Sequence, residues 1–365
     1  MCCCVSLADY IVSQRLFNFY LNNGCVPGAP EHALMEFVVG AMADNPLAGG
    51  TPLPVYGYDD TYPIAGDLFE AETTCVRQHS LGQVATSGVN NLSFFRRHAP
   101  PIDTVPLSQN PTPVPVYNAS QTYVALIVGD GDNVQYDFQT RFQWFQQRLE
   151  VRRCRECAPK PGSCYPLLWT VSPHALYLAP DMLAWYFNQS HTTQTDYFVL
   201  PPSGHLYSYP SLMSEQDQAH FVAATERDCV LLNTSALVGW ELTTSWPRAL
   251  KEYFPRYGVH GVVTAVFAVN VPFMLPVLAF GEDFYKIVGG EHNSVVFRPR
   301  EWRGSGHACG LGPACFSPTQ LAAELNRYPL GTVTNIYLTS DGGASLDLLN
   351  ALVDSLEPHV QVPLG

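Results

Sequence analysis

Charge is what this chain has least of. Charged side chains make up 14% of its 365 residues, where about a quarter is usual. Cationic ones are the scarcer: 19 Lys and Arg against 32 Asp and Glu leave a net charge of −13. So acidic a chain repels phosphate backbones and anionic headgroups, which argues against a general nucleic-acid binder or a protein held on such membranes. No apolar run approaches the roughly 18 residues of a membrane span. The opening residues lack a basic n-region, and Asp9 and Arg15 interrupt their apolar stretch, so no secretory leader is read there. Met1-Cys-Cys-Cys leads abruptly into a helical pattern, and an upstream segment is expected to be missing. Cys2 stands where myristoylation needs Gly, whereas Cys2, Cys3 and Cys4 are open to palmitoylation. There is no short-period repeat. The 11 histidines contain no His-x3-His pair, which counts against a metal-dependent deacetylase.

What is present suits a large, loop-rich globular protein. Hydrophobic residues reach 47%, enough for a sizeable core, and 30 prolines with 27 glycines imply many loops. The length suggests about two domains. Nineteen Tyr, nineteen Phe and six Trp would furnish a carbohydrate-binding surface. Eleven cysteines and N-x-S/T sequons at Asn91, Asn118, Asn188 and Asn233 favour an oxidising setting, extracellular or in the secretory pathway. Cys154-x2-Cys157-x6-Cys164 and His307-x-Cys309-x5-Cys315 could build a zinc site. The loose second spacing favours disulfides instead, so no metal and no cofactor is expected.

Helix and strand signals alternate. A helix is expected over 6–21, with Ser6 and Asp9 in a capping-box-like start, and a second from Pro30 through Ala41. Short strands follow at 53–58 and 83–86, around a helix at 65–79. Residues 99–119 are Pro-rich and aperiodic, a linker or an extended cover strip. Beyond them strands are expected at 123–128, 167–171, 197–200, 230–232, 262–267, 295–297 and 332–338. Helices lie at 138–153, 180–188, 214–228, 247–257, 318–326 and 344–356. This reads as an α/β protein: a (β/α) barrel-like domain over 120–365, preceded by a smaller α/β domain over 1–98.

The most informative stretch is Tyr123-Val-Ala-Leu-Ile-Val-Gly-Asp-Gly-Asp-Asn133. An unbroken apolar run rich in Val and Ile, stopped by Gly, reads as a buried strand of a parallel sheet. Residues just past such a strand stand where α/β sheets and barrels place their ligands. Asp130 and Asp132 could act as an acid–base pair, with Asn133 contacting substrate, although Asp-Gly-Asp-Asn equally suits a plain turn. A second stretch, Leu200-Pro-Pro-Ser-Gly-His-Leu-Tyr-Ser-Tyr-Pro210, also follows a strand. Its His205, Tyr207 and Tyr209 offer stacking faces and hydroxyls to a sugar. Further acids near strand ends are Glu241, Glu301 and Asp341. A glycosidase needs two carboxyls from opposite sides of its cleft, so Glu241 is paired with Asp130 or Asp132. Arg298 and Trp302, in Arg298-Pro-Arg-Glu-Trp302, are taken as substrate contacts.

These stretches resemble the GxGYxYP family, classed among glycoside hydrolases. The namesake motif reads Gly204-His-Leu-Tyr207-Ser-Tyr209-Pro210, with Leu206 in place of the second Gly. The Asp-Gly-Asp-Asn strand end and Gly88-Val-Asn-Asn91-Leu-Ser93 are also similar to family segments. The resemblance extends over most of 50–340 and implies a shortened N-terminal α/β portion before a barrel-like domain. It also implies a glycan substrate attacked by carboxylates. A non-catalytic glycan-binding protein and a polysaccharide deacetylase are the alternatives.

Overall fold

The structure is a computed structural model describing residues 7–18, 24–44, 49–57, 80–84, 86, 89, 91–97, 107–111, 116–150, 165–271, 284–289, 291–304, 314–339 and 345–363. In the N-terminal part, β1 (Leu53–Tyr56) and β2 (Leu81–Val84) pair in parallel. They are accompanied by α1 (Ala8–Gln14), α2 (His32–Ala43) and α3 (Leu92–Arg97). Leu81 packs with Cys25, Met35 and Val39, while Leu7, Tyr10, Val84 and Leu92 join the main core. The N-terminal part is therefore bound into the rest by apolar packing. Asp9 does not cap α1, whose first turn has no side-chain cap. Its carboxylate accepts instead from the Ser93 backbone N–H at 2.9 Å and from the Ser93 hydroxyl, tying α1 to α3. Ser6 and the expected helix at 65–79 lie outside the described residues.

Ten further strands follow among the described residues: β3 (Thr122–Val128), β4 (Leu167–Thr170), β5 (Asp196–Val199), β6 (Ala236–Trp240), β7 (Ala265–Val269), β8 (Phe284–Gly289), β9 (His292–Phe297), β10 (Arg300–Trp302), β11 (Val333–Leu338) and β12 (Val360–Gln361). One parallel sheet runs β10-β11-β3-β4-β5, with β12 against the start of β3. The other runs β6-β7-β9-β8, parallel except for the β8–β9 pair. As the continuous apolar run requires, β3 is central and buried, flanked by β11 and β4.

The sheets face one another across Ile127, Val238, Phe267, Val269 and Tyr337, one inward set taken from alternating positions. The opposite faces, with Val124, Leu126, Leu237, Val266 and Ile336, contribute to the main core. The expected barrel is not closed. β5 and β6 touch only through the parallel bridge Leu200–Leu237, and no ladder joins β9 to β10 among the described residues. At the first gap the cause is visible in the Pro-rich strip. The Gln109 side chain accepts from the Phe198 N–H at 2.7 Å and donates to the Phe198 carbonyl at 3.0 Å, filling the edge of β5.

Most expected elements recur within a few residues, but α1 stops at Gln14 with Arg15 in the left-handed conformation, well short of the expected 21, and one expected strand is a helix end. Val230–Leu232 is not a strand but the end of α8, the helix Glu215–Leu231 counted after α4 (Val134–Phe138), α5 (Thr140–Glu150), α6 (Ala175–Leu178) and α7 (Pro180–Thr193). The Ser214 side chain caps α8 by accepting from Asp217, and Asn233, at φ +50°, follows its end. Val230 is 54% exposed, so its apolar side chain marks no buried strand. β6, β8, β10 and β12 lie outside the expected set.

Candidate active site

Parallel strands leave their C-terminal ends on one edge, so the turns after β3, β4, β5 and β11 gather there. The turn after β3 is built by close approach. A Cβ on Gly129 would lie 2.3 Å from the Tyr337 ring, and one on Gly131 would lie 2.0 Å from the Thr170 carbonyl oxygen. Only glycine lets the chain pass between β11 and β4 at this depth. Asp130 takes the left-handed conformation at φ +61°, and its N–H donates to Tyr337 Oη at 3.0 Å. The Gly131 N–H donates to Thr170 Oγ1 at 2.9 Å. Asn133, expected to touch substrate, is the N-cap of α4: its Oδ1 accepts from Gln135 at 3.0 Å.

Asp132 is half-buried and its carboxyl is pushed up to about 7. Burial is the main cause and the Asp130 charge the second, against the opposing pull of its own N–H and of Arg141. Behind it, buried Asp137 is also pushed up to about 7, by burial and despite its 3.1 Å ion pair with Arg141. The Tyr337 phenol is driven well above its ordinary range by burial and by the two aspartates.

The loop after β5 is more enclosed than a ligand platform requires. His205 is 4% exposed, Tyr207 6%, Tyr209 1% and Trp302 0%. The His205 imidazole bonds the Asp228 carboxylate from α8, and its ring centre lies 5.0 Å from His174. Burial, and then His205, hold His174 well below the usual imidazole range. The Tyr207 backbone forms an antiparallel bridge with Gln83 of β2, with N···O distances of 2.9 and 3.0 Å. Leu206, which departs from the motif, finds its room across that bridge. A Cβ on Gly82 would lie 2.5 Å from Leu206 Cβ, so the missing side chain at Gly82 leaves Leu206 its space. The Trp302 Nε1–H donates to the Phe316 carbonyl at 3.0 Å, and Arg298 is half-buried between β9 and β10.

Glu241 is buried, and its carboxylate accepts from the Ser211 N–H (3.0 Å), the Ser211 hydroxyl (2.6 Å) and the Ser245 hydroxyl (3.2 Å). That geometry fixes the loop after β5 rather than presenting an acid to a ligand. Glu301 stands differently. It is half-buried, in register with inward-facing Tyr337, and accepts the Asn270 N–H at 2.8 Å. Its neighbour Arg300 turns to Glu324 at 3.4 Å and lies over the Phe316 ring. Two aromatic residues at this edge escaped the sequence reading, Tyr337 and Trp240. Alternation along β6 would have found Trp240, since Ala236, Val238 and Trp240 share the inward face. Among the described residues no three His, Cys, Asp or Glu side chains form a group that could hold a metal ion. Asp341 and the cysteines 154, 157, 164 and 309 lie outside them, whereas Cys315 is disulfide-bonded.

The β3 turn and the β5 loop both fall inside residues 120–267, which match the "GxGYxYP putative glycoside hydrolase C-terminal domain". This stretch is similar to the GxGYxYP family. The fold of nearly the whole chain is similar to that of a "putative hydrolase" from Bacteroides thetaiotaomicron VPI-5482, with a TM-score of 0.71 and 19% identity over 98% of this chain. The chain spans 62% of the length of that structure. A "putative polysaccharide deacetylase" from Mycobacterium smegmatis follows at TM-score 0.41 and 12% identity, over 70% of this chain and 91% of that one. A β-mannanase from the blue mussel Mytilus edulis follows at TM-score 0.25 and 10% identity, over 95% and 92%. No curated protein matches the chain in sequence. Within the matched stretch Tyr207 and Tyr209 are buried, and no helix of the described residues is long and apolar enough to cross a membrane.

Proposed function

We propose that this chain is a carbohydrate-active hydrolase whose reaction is carried by carboxylates at the C-terminal end of β3. The observation that supports it is the Asp130–Asp132 pair, held by a glycine-flanked turn on the ligand-bearing edge of a GxGYxYP-like domain. A glycosidase needs one carboxyl that keeps its proton near neutrality and a second that is ionised. Asp132, pushed up to about 7, fits the proton donor. Asp130 lies beside it and keeps the donor's proton in place by its charge.

For the opposite side of the cleft, Glu301 replaces Glu241. Glu301 is in register with Tyr337, and Tyr337 with Ile127 of β3. That places Glu301 two strand spacings from β3, ~10 Å at the backbone. Side chains leaning inward from there can approach the roughly 5–9 Å that glycoside hydrolysis uses. Half-buried Trp240 and Arg298 supply a stacking face and a cation for hydroxyls, while His205, Tyr207 and Tyr209 hold the loop behind them. We read the two facing sheets as an opened (β/α) barrel, with 1–98 as a partner domain and 99–119 as a strip between them. The disulfide at Cys315 supports an extracellular or secretory setting.

Incubating the full chain with a panel of polysaccharides and aryl glycosides tests the reading. New reducing ends from at least one substrate are expected. Binding by calorimetry with no release from any substrate it binds would favour the non-catalytic glycan binder instead.

A further inference from the structure

Behind the β3 turn lies a buried ion pair. Arg141 and Asp137, on α5 and α4, are 1% and 2% exposed. Arg141 Nη1 donates to Asp137 Oδ1 at 3.1 Å and also to the Thr170 carbonyl, and Nη2 donates to Thr170 Oγ1 at 3.2 Å. The same Thr170 hydroxyl donates to the Val128 carbonyl at 2.8 Å and accepts the Gly131 N–H at 2.9 Å. Tyr186 closes the back by donating to the Asp137 carbonyl. The cavity left beside the pair is about 10 Å³, room for about one water, so bulk solvent does not screen it.

We propose that Arg141, clamped by Asp137, is a positioning residue that locks the Asp130–Gly131–Asp132 turn through Thr170. A buried ion pair is an expensive way to gain stability, since desolvation offsets most of its attraction. A planar guanidinium, however, can hold both oxygens of Thr170 at fixed angles, which an ammonium cannot. Thr170 then fixes the Gly131 N–H and so the direction of the aspartates on either side. The charged and titratable groups bearing on Asp132 are Asp130 beside it, Arg141 and Asp137 behind, and Tyr337 across the strand. Arg141 alone is cationic among them.

The catalytic part of this inference rests on the hydrolase reading; the structural part does not, and the experiment separates the two. Amide hydrogen exchange at Gly131 is measured in the full-length protein for Thr170→Val, Thr170→Ser and Arg141→Lys, alongside melting curves. Thr170→Val and Arg141→Lys are expected to speed Gly131 exchange about tenfold, the effect of about one lost hydrogen bond. Thr170→Ser, which keeps the hydroxyl, should retain wild-type exchange. In Arg141→Lys the carboxyl-carbon NMR titration of Asp132 should move to higher pH, because the fixed cation is displaced. Wild-type exchange and titration in folded Arg141→Lys would overturn the proposal whatever the activity. If the Lys variant does not fold, Gly131 protection unchanged by Thr170→Val overturns it alone. Altered exchange with undiminished glycan turnover would leave the brace standing and sink the catalytic role of the turn.

Discussion

At the scale of single residues, Glu241 and Asp132 show how one residue type is put to opposite uses. Glu241 spends its carboxylate on three donors from Ser211 and Ser245. Glu241→Gln turns one acceptor oxygen into a donor facing those groups, so a loss of about 1–3 kcal/mol in stability is expected. Urea unfolding measures it; a variant with wild-type stability but no turnover would return Glu241 to the catalytic pair. Asp132 and Asp137 instead carry carboxyls raised to about 7, against about 3.9 in an unfolded chain. The folded state therefore keeps protons that the unfolded state has released between about pH 4 and pH 7. Their contribution to stability falls as pH rises through that window and levels off above it. Removing one of the two isolates its share: the melting temperature of the wild type relative to Asp132→Asn should decline from about pH 4 to about pH 8. A difference that stays flat across the range contradicts the raised carboxyl.

At the scale of elements, signals that rest on burial were legible, and those that rest on neighbours were not. The apolar run of β3 identified a central parallel strand because both of its faces are covered. Pro180 and Pro318 marked helix starts, as first-turn prolines do. Val230-Leu-Leu misled because three apolar residues at a helix end look like a short strand, and the deciding cap at Ser214 lies sixteen positions earlier. The site divided similarly. Asp130 and Asp132 could be placed from a strand end alone. That Tyr207, Tyr209 and Trp302 would be buried, and that Glu301 would face inward, depended on register between distant strands. The open edge of β5 was equally unreadable, since it is filled by one side chain from the Pro-rich strip. Gln109→Ala should leave the Phe198 N–H and carbonyl unpaired and cost about 1–3 kcal/mol. Chemical denaturation would show this, and no change would mean that solvent or strand β6 takes over the edge.

At the scale of the whole molecule, the two sheets and the N-terminal strand pair converge on one edge. β2 is bridged to Tyr207, Phe95 of α3 packs edge-on at 4.8 Å against Phe138 just beyond the β3 turn, and the inward rows of both sheets meet below it. The N-terminal part thus braces the loops that carry the proposed site. Gly82→Ala tests that bracing: a Cβ there meets Leu206 Cβ at 2.5 Å, and overpacking of this kind costs about 1–3 kcal/mol. Differential scanning calorimetry should show a lower melt that Leu206→Gly partly restores, and no recovery in the double variant would contradict the contact. The central claim is that the aspartates of the β3 turn perform chemistry. It is tested most directly by the rate of glycan hydrolysis by Asp132→Asn against the wild type, with folding verified by the melt. A loss of about 10²–10⁴-fold with the fold retained is expected for removal of a general acid. Undiminished hydrolysis by a folded Asp132→Asn protein would contradict the claim and leave Asp-Gly-Asp-Asn a turn.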